Sequence, residues 1–132
     1  MFEYHGWAAV FDSLDSHRGA ADCLSQAAYD SVAHALAGVR NDFQIADLRV
    51  SNGSCHVWLA GYRNHRQNAV IEAFRDIASV APWSYGVLYI HDDEAGDDEN
   101  RWITWVMKRG EVVPHHDSFL SPHVGEVEDP LV

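Results

Sequence analysis

The sequence is poor in cysteine and in positive charge. Its two cysteines, Cys23 and Cys55, lack the close spacing of a zinc or redox motif, so two unpaired thiols are the default and a disulfide between them stays an alternative. Nine lysines and arginines stand against 20 aspartates and glutamates, which gives a formal net charge of −11. Nucleic acids and anionic membranes attract clustered positive charge, so neither is expected as a direct partner.

Long apolar runs are absent as well. No stretch approaches the roughly 20 apolar residues of a membrane-spanning helix. The opening residues, Met1 to Gly6, lack the basic and apolar parts of a signal peptide. We therefore expect a cytoplasmic protein. Its 132 residues, of which 47% are hydrophobic, are expected to form a single domain over residues 1–132.

No motif for catalysis is present. Nine histidines suggest a metal site, but the adjacent pair His115 and His116 would point to opposite sides of an extended chain. No His-Glu-x-x-His pattern, paired cysteines or Gly-x-Ser-x-Gly elbow accompanies them. We assign no catalytic residue, cofactor or metal ligand, and keep a metal-dependent hydrolase using His115, His116 and Asp117 as a third hypothesis.

The hydrophobic periodicity predicts the element order β-α-β-β-α-β-β. The segments are strands over 3–11, 43–50 and 55–62, helices over 20–37 and 64–81, and a final hairpin within 82–110. Asn52-Gly53 favours a type I′ turn between the second and third strands. Gly38 is expected to end the first helix in the left-handed conformation, and Asn64 with Gln67 to cap the second.

This order predicts an α+β fold with a mostly antiparallel sheet. Its first six elements match the ferredoxin-like split βαβ arrangement, with one extra strand. Both helices are expected on one face, which leaves the other face exposed unless a partner, the tail or a second copy covers it. Prolines 114, 122 and 130 favour an irregular tail over about residues 114–132.

An acidic loop joins the two strands of the final hairpin. Its six carboxylates and the tryptophan that follows are Asp92, Asp93, Glu94, Asp97, Asp98, Glu99 and Trp102. An EF-hand calcium loop is excluded, because with Gly96 at loop position six Ala95 occupies a ligand position. A solvated turn that discourages aggregation and a contact surface for a basic protein are favoured over a calcium site of another kind.

Short blocks along the whole chain resemble the Imm7 family of bacterial immunity proteins. They are Phe2-Glu3-Tyr4-His5-Gly6-Trp7, Asn64-His65-Arg66, Ser84-Tyr85-Gly86-Val87-Leu88-Tyr89-Ile90 with Asp92-Asp93-Glu94, Lys108-Arg109-Gly110, and Asp117-Ser118-Phe119-Leu120-Ser121-Pro122. The first predicted helix is rich in alanine and resembles the family only in being a helix, not in its residues.

The resemblance implies a cytoplasmic, non-enzymatic protein of a polymorphic toxin system, used in competition between bacteria. Such a protein binds the C-terminal domain of its cognate secreted or contact-delivered toxin and blocks the active site or the access of substrate. An acidic inhibitor is attracted to a basic toxin, such as a nuclease. We therefore predict toxin binding by the acidic loop and Trp102, with the first helix and the Asn52-Gly53 hairpin as alternative surfaces.

A different class of function is also compatible with the sequence. A dimeric ferredoxin-like module, paired through its open sheet face, could bind a small molecule or act as a regulator. A copurifying pocket ligand would favour that hypothesis over an immunity protein.

Overall fold

The computed structural model describes residues 1–13 and 24–122, which form one mixed sheet-and-helix unit. The elements are β1 (Phe2–Val10), α1 (Gln26–Ala37), β2 (Ile45–Ser51), β3 (Ser54–Arg63), α2 (Asn68–Val80), β4 (Tyr85–Asp92), β5 (Ile103–Lys108) and β6 (Glu111–His116). A 3-10 turn at Gly96–Asp98 lies between β4 and β5. The predicted α+β class is confirmed, with one strand more than expected.

The sheet has the strand order β2-β3-β1-β4-β5-β6, and each strand is antiparallel to its neighbours. Because β3 lies between β1 and β2, the first part of the sheet has the predicted split βαβ arrangement. The expectation of an irregular tail from residue 114 is wrong for residues 114–116, which complete β6. Pro114 is tolerated there because β6 is an edge strand, where one side of the backbone needs no ladder hydrogen bond.

Both helices begin later than the sequence predicts, whereas α1 ends at Ala37 as predicted. The Ser25 side chain caps α1 by accepting a hydrogen bond from the Ala28 amide at 3.2 Å. Gly38 has a φ of −69°, so the predicted left-handed end is wrong. The capping box is also wrong, because α2 begins at Asn68 and Gln67 makes no side-chain cap bond. Among the described residues, no helix has the length and apolar character needed to cross a membrane.

Two tight turns use left-handed backbone. Asn52 and Gly53 have φ values of 50° and 78°, which confirms the predicted hairpin turn between β2 and β3. Arg109 and Gly110 repeat the pattern, with φ values of 53° and 79°, and connect β5 to β6. The second turn escaped prediction because arginine is not a typical residue for positive φ.

The hydrophobic core lies between the helices and one face of the sheet. Its largest fully buried side chains are Phe2, Tyr4, Leu36, Leu59, Phe74, Ile77, Leu88, Ile90 and Met107. Burying one side chain of this size contributes about 1.5–3 kcal/mol. These residues come from both helices and four strands, so the prediction that the helices share one face is confirmed.

Cys55 lies in β3, is fully buried and is disulfide-bonded. The expectation of an unpaired thiol is therefore wrong for Cys55. Cys23 lies outside the described residues.

Candidate functional site

Asp92, the first carboxylate of the acidic loop, shapes the loop from within. It is the last residue of β4 and is 7% exposed. Its side chain accepts hydrogen bonds from the Glu94 amide at 3.0 Å and from Arg66 Nη1 at 3.3 Å. The segment 64–67, which we expected to start α2, is instead a bend and irregular backbone that bring Arg66 to this carboxylate. Asp92 is thus a structural residue of the loop.

The next two carboxylates hold the N-terminus and the segment before α2. The Met1 ammonium group lies 2.7 Å from Asp93 and 3.9 Å from Glu94. The hydrogen bond to Asp93 is the main reason that the pKa of the Met1 amino group is raised. His65 Nδ1 lies 2.7 Å from Glu94 Oε1. These pairs are exposed, so solvent and salt screen them.

The remaining three carboxylates differ in what surrounds them. Asp98 lies 3.0 Å from His116 Nε2 and 3.8 Å from Arg101 Nε, which ties the loop to the end of β6. Asp97 and Glu99 are exposed and form no ion pair with the described part of the chain. Of the six predicted carboxylates, these two have the most freedom to meet cations of a partner.

Replacing Asp92 with alanine should lower the free energy of unfolding by about 1.5–3 kcal/mol, since hydrogen bonds to a charged group are of that strength. Asp97→Ala, in the same loop but exposed, is the control and should change stability by less than about 0.5 kcal/mol. Urea denaturation followed by circular dichroism measures both. Equal stabilities of the two variants would show that Asp92 does not organise the loop.

Trp102 packs away from the carboxylates, onto the sheet face that neither described helix covers. Its ring centroid lies 6.1 Å from that of His5 and 5.7 Å from that of His91. His91 is held in turn by a 2.7 Å hydrogen bond to the Glu99 carbonyl. The predicted position of Trp102 at the edge of the acidic loop therefore also places it at the edge of the uncovered sheet face.

This uncovered face, named here the aromatic face, has large apolar side chains that point away from the core. Its members are Trp7, Ile45, Trp58, Tyr62, Tyr85, Tyr89 and Val113, each between 37% and 58% exposed. The sequence predicted an exposed face because both helices were expected on the other side of the sheet. The sequence did not identify the face as a binding site.

An apolar pocket lies where the aromatic face meets the acidic loop. Its volume is about 320 Å³, and it is lined by His5, Tyr89, Trp102, Asp117, Phe119 and Leu120. The Asp117 carboxylate accepts hydrogen bonds from the amides of Phe119 and Leu120 at 3.1 and 2.8 Å, which shapes the turn carrying them. Phe119 is 91% exposed, so this apolar side chain at the rim of the pocket is almost entirely in contact with solvent.

A second pocket of about 420 Å³ lies on the opposite side of the sheet, beside α2. Arg66, Arg101, Asp92, Asp98, Trp105 and His116 line it, together with residues of β4 and β6. Its cations and carboxylates pair with each other, so it presents little net charge to a ligand. His115 and His116 face opposite sides of β6, and the described residues contain no group of three potential ligands that could hold a metal ion.

Comparison with known protein families assigns the chain to one family. The model of the family described as Imm7, immunity protein 7, matches residues 1–129. The matched range includes the acidic loop and every member of the aromatic face. Neither a curated protein nor a solved structure matches the chain.

Proposed function

The chain belongs to the Imm7 family of immunity proteins, and from this premise we propose that it binds and neutralises the toxin domain of a polymorphic toxin system. The protein is a single-domain inhibitor and catalyses no reaction. The bound protein covers the active site of the toxin or the path of its substrate. The observation that carries this proposal is the family match over residues 1–129.

The charge of the chain supports a basic partner. A net charge of −11 attracts a positively charged domain over long distances and raises the rate of association. Toxin domains that act on nucleic acid need such positive surfaces, so a nuclease fits the proposal. Asp97 and Glu99 offer this partner two exposed carboxylates in the acidic loop.

We place this function in the cytoplasm of the cell that makes the protein, where an incoming toxin would meet its target. Co-expression with the toxin domain encoded beside the chain tests the proposal. Survival of the cells and copurification of a stable complex are the expected results. Cell death without a complex, although the protein is soluble and folded, would overturn it in favour of the dimeric ligand-binding module.

The double variant Asp97→Asn, Glu99→Gln should associate with the toxin domain about three- to tenfold more slowly at low salt, because rim charges act mainly on the association rate. At high salt the difference should disappear, since screening shortens the reach of exposed charges to about 3 Å at 1 M. Stopped-flow fluorescence over a salt series measures both.

The matched control for this variant removes the same charge elsewhere. Asp30→Asn with Asp76→Asn changes two exposed carboxylates on the helices and should have a smaller effect on the rate. If the loop variant associates as fast as the wild type at low salt, the two loop carboxylates do not face the toxin. The wider substitution of all six loop carboxylates is less informative, because it also removes the structural Asp92.

A further inference from the structure

The aromatic face contains a continuous apolar row that crosses five strands. Trp58, Trp7, Val87, Val106 and Val113 lie opposite one another in register on β3, β1, β4, β5 and β6. Four strand spacings of about 4.8 Å make this row roughly 19 Å long. Side chains directly opposite on neighbouring strands are in contact range, so the row is one surface and not a set of separate residues.

Further aromatic side chains widen this row. Tyr85 contacts Trp7 edge to face, with ring centroids 6.1 Å apart. Tyr89 and Ile45 lie one row nearer the acidic loop, on either side of His5. Contiguous apolar patches beyond a few hundred Å² are uncommon on proteins that act alone and mark interaction sites.

The extent of the face fits a partner of domain size. Six strands about 4.8 Å apart and roughly 20 Å long give a face of about 500 Å². A standard protein interface buries about 800 Å² on each partner, so the face with its surrounding loops is large enough to form one. Tryptophan and tyrosine are also the side chains that most often carry the binding energy of interfaces.

The charges near the face indicate the chemistry of the partner. The acidic loop adjoins one end of the face through Trp102, and Asp117 stands at the mouth of the apolar pocket. Asp47 lies opposite Trp58 on β2 but pairs with Arg49 at 3.2 Å, so the negative charge lies at the end of the face near the acidic loop. A second copy of this chain would bring another net charge of −11 against the first. A domain with cations around an apolar protrusion is complementary to this surface.

We propose that the aromatic face is the surface that anchors the cognate toxin domain, with an apolar side chain of the toxin in the pocket of Trp102 and Phe119. The proposal rests on the proposed function and names the binding surface for it. The acidic loop supplies attraction and orientation from the end of the face. The anchor is therefore the uncovered sheet, and the carboxylates first selected from the sequence lie at its margin.

The test uses the purified toxin domain encoded beside the chain and the double variant Trp7→Ala, Trp58→Ala. We expect the dissociation constant of the complex between this variant and the toxin domain to be at least about 100-fold higher than that of the wild-type complex. The change should come mainly from faster dissociation, since central aromatic residues dominate interface energy. The control is Trp83→Ala, a tryptophan of similar exposure that lies between α2 and β4 and is not part of the aromatic face. It should bind within about twofold of wild type.

A second pair of substitutions tests the same surface if the tryptophan variant folds poorly. Tyr89→Ala with Phe119→Ala removes one wall of the pocket and leaves the Trp7–Trp58 pair intact, and it should weaken binding at least about tenfold. Circular dichroism confirms the fold of each variant before binding is measured.

The outcomes separate the two proposals. A wild-type protein that neither binds nor neutralises the toxin domain overturns the proposed function itself. A wild-type protein that binds, with both face variants equally tight, overturns the aromatic face as the anchor. Light scattering that shows a wild-type dimer, made monomeric by the tryptophan variant without loss of toxin binding, also overturns it, because the face would then join two copies of this chain.

Discussion

A single methyl group added at Gly86 should destabilise the fold severely. The Cβ atom would overlap the Trp7 carbonyl oxygen and lie 2.7 Å from the Ala8 Cα, both backbone atoms of β1. These atoms cannot rotate away, so β1 and β4 would have to separate at the centre of the sheet. We expect Gly86→Ala to cost more than about 4 kcal/mol, a large share of the 5–15 kcal/mol that stabilises an ordinary domain.

The matched control is Gly38→Ala, at the end of α1. Gly38 has a φ of −69°, and its added Cβ would meet only the Ala35 carbonyl oxygen, at 3.5 Å. This substitution should be neutral or should stabilise by up to about 1 kcal/mol, because alanine restricts the unfolded chain. Size-exclusion chromatography and thermal unfolding measure both variants. A folded Gly86→Ala protein within 1 kcal/mol of wild type would show that the central strands can move apart.

The sequence predicted the features that depend on local chemistry. The Asn52-Gly53 turn was found because two neighbouring residues that tolerate positive φ determine it. The close approach at Gly86 was not found, because Trp7 and Ala8 are almost 80 positions away along the chain and only the pairing of β1 with β4 brings them near. The start of α2 was misplaced for a similar reason, since Arg66 is held by Asp92.

The same distinction applies to the candidate site. The sequence located the acidic loop but gave its six carboxylates equal weight. Their partners Met1, Arg66 and His116 come from distant parts of the chain, so no local pattern separated the structural carboxylates from the exposed Asp97 and Glu99. Sorting them required the three-dimensional structure.

The uncovered sheet face was predicted to exist but not chosen as the site. Both faces of β3 carry apolar side chains, so periodicity alone did not show which face the helices cover. An isolated protein gains no stability from apolar side chains that stay in water. The two-sided pattern is therefore physically consistent with a sheet that has one face buried by its own helices and the other buried in a complex.

Reducing the disulfide of Cys55 should lower the free energy of unfolding by about 2–4 kcal/mol, because the cross-link restricts the unfolded chain. Urea denaturation with and without dithiothreitol measures the difference. Cys55→Ala is the control, since its stability should not depend on the reductant. Two thiols that react in the denatured, unreduced protein would show that the bond does not form.

The redox state of Cys55 also bears on where the protein works. Disulfides persist in oxidising compartments and are rare in the cytosol, so the cytoplasmic protection proposed above requires a protein that works with the bond reduced. We therefore expect cells that produce Cys55→Ala to survive the toxin at a growth temperature where the variant stays folded. Death of these cells, together with loss of toxin binding by the reduced wild-type protein, would show that the bond is needed and would contradict a function in the cytoplasm.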